Sequence, residues 1–226
     1  TKALRDLGLT EVSEPFTRLL TQGMVCKDGA KMSKSLGNVV DPGDIIAKYG
    51  PYTARVFILF AALPEKELEW SDDGVNGSYR FLSRVYRLCE CELKYHDEIS
   101  NLDKSMQAKL HKTIKAVTLY VEGFKLSLAI GALIEFTNEM TRYVEHEVNK
   151  VIYDDCVEKL AQMIAPFAPH LAEEMWERRG RDGFISLAEW PIYDDSLIDE
   201  RSEALEGVFY DVVSDDEQRR QVHGET

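Results

Sequence analysis

Between Ser71 and Met175 apolar residues return every three or four positions, four times over, and that recurrence commits the chain to packed helices. The first stripe runs Val75, Tyr79, Leu82, Tyr86, Cys89 and Leu93, widened by Phe81, Val85 and Leu88. The second is Met106, Leu110, Ile114, Val117, Val121 and Phe124, and the third Leu126, Ala129, Leu133, Phe136 and Met140. A fourth, Val157, Leu160, Ile164, Phe167, Leu171 and Met175, carries Pro166 and Pro169, which predict a break between Ala165 and Pro169. Amphipathic helices with such short connections imply a mainly α fold built as an antiparallel bundle.

The first 64 residues read differently. Thr17–Val25 is expected as a helix or strand ending in a turn at Cys26-Lys27-Asp28-Gly29, followed by a loop, Ala30–Val40. Asp41 suits an N-cap and Pro42 the first helical position, with Tyr49-Gly50 closing a short helix. Pro51 opens another, whose Val56-Phe57-Ile58-Leu59-Phe60 run is expected to be wholly buried and which ends at Leu63-Pro64. Past Gly180 the periodicity weakens: Phe184–Trp190 is expected as a short extended piece, Leu197–Val213 as helical, and the last dozen residues as frayed. Three parts result: residues 1–64, a helical bundle over 65–185, and an acidic, partly disordered extension over 186–226.

Charge restricts the partners. The net charge is −13, which excludes a broad basic surface dedicated to nucleic acid. Residues 1–64 hold 8 Lys/Arg against 6 Asp/Glu, and the remainder 19 against 34, so phosphate chemistry belongs early in the chain or on local basic stripes. Arg80, Arg84, Arg87 and Lys94 form one such stripe at helical spacing, readable equally as a phosphate-tracking surface or as a solvated face paired with Glu90 and Asp97. No apolar run or leader pattern points to a membrane, and a cytoplasmic protein is expected. Cys26, Cys89, Cys91 and Cys156 lack metal-ligand or disulfide spacing and read as reduced, mostly buried thiols. The five histidines are scattered, and no metal site is assigned. Asp72-Asp73, Asp154-Asp155 and Asp194-Asp195 read as first-turn helix residues rather than magnesium ligands, and Trp70 and Trp176 as packing residues.

The sharpest feature is Lys31-Met32-Ser33-Lys34-Ser35 between Gly29 and Gly37. Taken alone, a lysine- and serine-rich pentamer is most often a solvated basic turn. This one, with Leu36-Gly37-Asn38-Val39-Val40-Asp41-Pro42 after it, resembles the signature loop of class I aminoacyl-tRNA synthetases in the valine, isoleucine, leucine and methionine branch. The stretch Leu63–Val75 with Tyr79-Arg80-Phe81-Leu82, and the helix from Phe124 to Asn138, are similar to bacterial-type leucyl-tRNA synthetases. Ala165-Pro166-Phe167-Ala168-Pro169-His170 is shared across the wider branch.

That resemblance implies several expectations. Lys31 and Lys34 would be catalytic, residues Lys31, Met32, Ser33, Lys34 and Ser35 would bind ATP, and the bundle would bind the anticodon side of a leucine-accepting tRNA. Residues 1–64 would be the loop-bearing end of a catalytic domain, in a monomeric parent enzyme using leucine, ATP and Mg2+. Neither H-x-G-H nor G-x-G-x-x-G occurs, so the polypeptide is expected to be a segment of a longer enzyme and inactive alone. An isoleucine, valine or methionine enzyme, and a non-catalytic RNA-binding module, remain open as alternatives.

Overall fold

Residues 1–17, 19–64 and 66–198 are described by a computed structural model. They form two units, 1–79 with 125–127, and 80–124 with the chain from 128 onward. The division falls inside a helix, between Tyr79 and Arg80, and not at the 64/65 position expected from the sequence. The reason is packing: Phe57, Leu68 and Val75 share one buried cluster, so the chain beyond Pro64 still belongs to the first core.

The first unit begins with a short helix, α1 (Lys2–Asp6). Three short strands follow, β1 (Val25–Lys27), β2 (Ala30–Lys31) and β3 (Leu68–Glu69), in the order β2-β1-β3. β1 and β2 are antiparallel, with Lys27 opposite Ala30, and β1 and β3 are parallel, with Val25 opposite Leu68. Asp28 and Gly29 both hold positive φ, 57° and 70°. Two such residues give the tight turn whose twist matches a hairpin, which is why Asp-Gly stands here. The loop expected from Ala30 therefore starts as a strand, and residues 17 and 19–24 are neither helix nor strand.

α2 (Pro42–Tyr49) begins as expected, with the Asp41 carboxylate accepting from the Gly43 N–H at 2.8 Å, and Gly50 caps its end. α3 (Pro51–Ala61) buries Val56 and Phe57 but leaves Phe60 41% exposed. The run is thus not wholly buried: five successive helical residues spread over more than a full turn, so they cannot share one face. Trp70 packs edge-on against Phe57 with ring centroids 5.0 Å apart.

One glycine in this unit is fixed by a close approach. The Gly23 N–H donates to the Pro64 carbonyl at 2.7 Å, and a Cβ on Gly23 would stand 2.1 Å from the Lys66 carbonyl oxygen. Gly23→Ala must push that backbone away, and is expected to cost about 1–3 kcal/mol in urea unfolding of this unit.

α4 (Asp72–Arg87) carries Asp72 and Asp73 in its first turn, as expected. Its covered face is Val75, Ser78, Phe81, Leu82, Val85 and, just past its end, Leu88, while Tyr79 is 44% exposed. The expected stripe holds at Val75, Phe81, Leu82, Val85 and Leu88, whereas Leu93 lies beyond the helix, and Ser78 takes a covered position with its hydroxyl donating to the Gly74 carbonyl.

In the second unit, β4 (Tyr95–His96) pairs in parallel with β5 (Val148–Asn149). α5 (Asn101–Glu122) and α6 (Leu126–Tyr143) are joined by a three-residue connection and run antiparallel. α5 lies against α7 (Lys150–Ile164), and α7 against α8 (Pro169–Arg178). The chain breaks between α7 and α8 where Pro166 and Pro169 predict, and Pro169 takes the first position of α8. The third stripe is fully buried at Ala129, Leu133, Phe136 and Met140. The second is not: α5 stops at Glu122, and Phe124 leaves it with φ 55° and half its surface exposed. Phe184–Trp190 holds a 3-10 turn, Ile185–Leu187, instead of an extended piece. A second 3-10 turn, Asp195–Leu197, is capped by the Asp194 carboxylate. The helix expected over Leu197–Val213, and the fraying expected after it, lie outside the described residues beyond Ile198.

A polar cluster sits inside the second unit. The Asp103 carboxylate, fully covered, accepts from the Tyr143 hydroxyl, the Asn149 N–H at 3.0 Å, and the N–H and hydroxyl of Ser100 at 2.7 and 2.5 Å. Ser100 returns a bond to the Asp103 N–H, completing a capping box at the start of α5. His96 Nε2 stands 3.3 Å from the same carboxylate.

Candidate functional site

The five residues Lys31–Ser35 leave the β1-β2 hairpin at its second strand and bend through a turn ending at Gly37, whose φ is 68°. The base of this loop is pinned. The Met32 N–H reaches the Val25 carbonyl at 3.5 Å, and the Gly29 N–H donates to Glu69 Oε1 at 3.1 Å. Asn38 does most of the pinning. Its amide oxygen accepts from the Ser33 N–H at 2.8 Å, and its amide nitrogen points at the carbonyls of Lys27, Ala30 and Lys31 at 3.1, 3.4 and 3.4 Å.

Among the described residues, the tip's hydrogen bonds are to itself. Leu36 and Gly37 N–H groups donate to the Ser33 and Lys34 carbonyls, and the Ser33 and Ser35 hydroxyls lie 2.7 Å apart. Lys31, Lys34 and Ser35 are exposed, while Met32 and Ser33 are half-buried. The loop thus offers two ammonium groups and a pair of hydroxyls to solvent from a braced stem. Such a set suits a polyphosphate: cations meet its charge and hydroxyls its oxygens.

Elsewhere, only Cys156 of the four cysteines is fully buried, against the expectation of mostly buried thiols. Burial pushes Cys89 up to about 11 and raises Cys156 well above its usual value. Asp154 and Asp155 lie in the second turn of α7, not the first. Asp154 bonds Lys150 and Arg179, and Asp155 stands 4.0 Å from Lys159.

The basic stripe fares less well than its spacing suggests. Arg80 and Arg87 are exposed on α4, but Arg87 Nε donates to the Ser83 carbonyl at 3.3 Å. Arg84 is half-buried, with a covered Nε that meets no acceptor. Lys94 is not on the helix at all, because α4 ends at Arg87. Glu90 pairs with Arg178 at 2.6 Å and not with the stripe.

Comparison with known proteins bears on both units. The anticodon-binding domain of tRNA ligase matches residues 103–224. The chain belongs to this tRNA-ligase family. The tRNA synthetases class I (I, L, M and V) match residues 6–71, which include the two-lysine loop. A leucine–tRNA ligase of Geobacter sp. (strain M21) is 48% identical over 209 residues, covering 88% of this chain and 25% of the relative. That of Geotalea daltonii is 48% identical over 206 residues, covering 86% and 25%. The chain spans about a quarter of the length of the curated relatives it matches. Among solved structures, the LeuRS of Agrobacterium radiobacter K84, in a ternary complex with tRNA and LeuAMS, superposes with a TM-score of 0.72. It is 31% identical and covers 88% of this chain and 27% of its own.

In this tRNA-ligase segment, sequence reasoning placed Lys31 through Ser35 but gave Asn38 no role. The available signal was Gly37-Asn38: a glycine that turns the chain back, followed by a side chain able both to accept and to donate. Asn38→Ala removes both halves of the clasp. The Ser33 amide is then expected to exchange its hydrogen on the order of tenfold faster or more, consistent with the loss of a ~1–3 kcal/mol polar contact. Hydrogen exchange resolved at residues 31–38 checks this, with the α5–α8 amides as internal reference.

Proposed function

We propose that the chain is the part of a leucine–tRNA ligase that carries the phosphate-facing loop and the tRNA-binding helical domain. The observation that carries this is the braced loop with exposed Lys31 and Lys34, in a chain 48% identical to leucine–tRNA ligases. In amino-acid activation, the carboxylate of leucine attacks the α-phosphorus of ATP, and the bond to the pyrophosphate oxygen breaks. Negative charge grows on the departing oxygens. In this reading Lys31 and Lys34 meet that charge as it develops, with the Ser33 and Ser35 hydroxyls beside them, and contacts that strengthen toward the transition state raise the rate itself. Asn38 holds the stem, so that only the tip and its side chains need move to close.

The second unit supplies the tRNA contact in this reading, supported by its match to the anticodon-binding domain of tRNA ligases. Magnesium in such enzymes would be carried largely by the substrate phosphates. Among the described residues no group of three or more His, Cys, Asp or Glu could hold a metal ion, so no step is assigned to one here. Nor is any helix among them long and apolar enough to cross a membrane.

The test is amino-acid-dependent exchange of pyrophosphate into ATP by the full-length protein that contains this segment. Exchange driven by leucine, and not by isoleucine, valine or methionine, is the expected result. Exchange driven by one of the other three instead would move the assignment to that enzyme.

A further inference from the structure

The hairpin turn just ahead of the two-lysine loop has one amide that the turn itself leaves open. Asp28 and Gly29 both stand at positive φ, between the paired residues Lys27 and Ala30. In a two-residue turn of this shape the closing bond runs between the flanking residues, and the N–H of the second central residue has no partner within the turn. On Gly29 that N–H donates to Glu69 Oε1 at 3.1 Å, from a residue 40 positions further along the chain. Water would satisfy an exposed amide equally well. A carboxylate brought to it from another strand does more, because it also ties the turn to that strand.

The strand that carries Glu69 is itself fixed. Leu68 is buried in the cluster with Phe57 and Val75. On either side of Glu69 the backbone is bonded, the Leu68 N–H to the Met24 carbonyl at 2.9 Å and the Trp70 N–H to the Cys26 carbonyl at 2.7 Å. Cys26 pairs with Lys31 on one side and with Glu69 on the other, so the three stand in one row across β2, β1 and β3. Residues directly opposite share a face of the sheet. The segment Lys27–Lys31 is therefore gripped from two directions. Asn38 takes its carbonyls, and Glu69 takes its open amide. A carboxylate has the wrong sign for a polyphosphate, so the part Glu69 plays is to hold the turn and not to touch the phosphates.

We propose that Glu69 is a positioning residue for amino-acid activation, fixing through the Gly29 amide the direction in which Lys31 leaves the sheet. The inference rests on the tRNA-ligase reading above and adds to it a residue well outside the loop. Lys31 lies two positions after Gly29, on β2, a two-residue strand at the edge of its sheet. Without the bond to Glu69, the turn and that short strand tilt more freely about β1. A donor that wanders from its place meets the departing oxygens less well, and rates fall steeply with misplacement. Closure of the tip, which lies beyond Lys31, does not depend on the bond.

The test uses the full-length protein that contains this segment and three variants that separate bond from charge. Glu69→Ala removes both. Glu69→Asp keeps the charge but is one methylene too short to reach Gly29. Glu69→Gln keeps an accepting oxygen and loses the charge. Each is matched to the parent by circular dichroism and melting, and then measured for single-turnover formation of leucyl-adenylate, for leucine affinity, and for hydrogen exchange at the Gly29 amide. The alanine and aspartate variants are expected to form adenylate roughly three- to tenfold more slowly, the range that the loss of one hydrogen bond allows. Their Gly29 amides should exchange faster by a similar factor. Leucine affinity should stay within about twofold of the parent, since the lysines act on the phosphate side. Glu69→Gln should lie near the parent in all three measurements, a rescue that a general loss of stability would not show. If Gly29 exchanges faster in Glu69→Ala while adenylate forms at the parent rate, the bond serves the fold alone and the proposal is overturned. A glutamine variant as slow as alanine, beside an aspartate variant that keeps the parent rate, overturns it in favour of the charge. If the parent forms no leucyl-adenylate at all, the ligase reading fails and the proposal goes with it, whatever Gly29 exchange shows.

Discussion

Under the proposed function, Lys34→Ala in the full-length protein that contains this segment is expected to slow leucyl-adenylate formation by about two to three orders of magnitude, the usual loss when one transition-state donor is removed. Leucine binding should change little, because the Lys34 ammonium stands on the exposed tip of a loop whose hydroxyl and amine groups suit phosphate. Single-turnover measurement of adenylate formation, with leucine affinity determined separately, checks the split. A loss confined to leucine affinity would make Lys34 part of the amino-acid pocket instead. Lys34→Arg is the informative companion. It keeps the charge but replaces a compact ammonium with a planar fork, and partial recovery would show that charge at the tip is what the reaction uses.

Asp103→Ala is expected to destabilise the helical unit by about 3–5 kcal/mol in urea unfolding. The carboxylate is fully covered, and its removal leaves the Tyr143 hydroxyl and the Asn149 N–H buried without an acceptor. It also removes the capping box at the start of α5. Burial pushes the Asp103 carboxyl up. The bonds from Ser100, Tyr143 and Asn149 together outweigh it and hold the group near 2, below the ordinary 3.8. The folded value lies under the unfolded one, so this contribution is fully present above about pH 4. It fades as pH falls from there toward 2. Asp103→Asn keeps one accepting oxygen but turns a donor toward Ser100. Its stability should be lower throughout, and should lack the Asp103 part of the fall between pH 4 and 2.

How much of this was legible beforehand depends on what kind of signal each residue carries. Periodicity named α5 to α8 and the proline break, because burial on one helical face imposes a spacing that survives in sequence. Asp41-Pro42 named the start of α2, because a cap and its fixed dihedral are local. The five loop residues were legible from their types and from a family resemblance. The clasp made by Asn38 was not, since it joins backbone carbonyls 7 to 11 positions back that no pattern marks. Asp103 was hidden for the same reason, as its partners lie up to 46 positions away and two of them are backbone amides. The α4 stripe shows the opposite error. Spacing four, three and seven looks continuous on a helical wheel, but the wheel does not say that the helix stops at Arg87.

The Asp103 cluster also constrains the order in which a ribosome can deliver this domain. Its carboxylate is made 40 residues before Tyr143 and 46 before Asn149. At roughly 5–20 residues per second, the last partner follows by roughly 2–9 seconds. Until then, closing α5 and α6 over the carboxylate leaves it one donor short, which costs about 1–3 kcal/mol. The cluster is complete only once β5 has been made, and α7 follows directly from that strand.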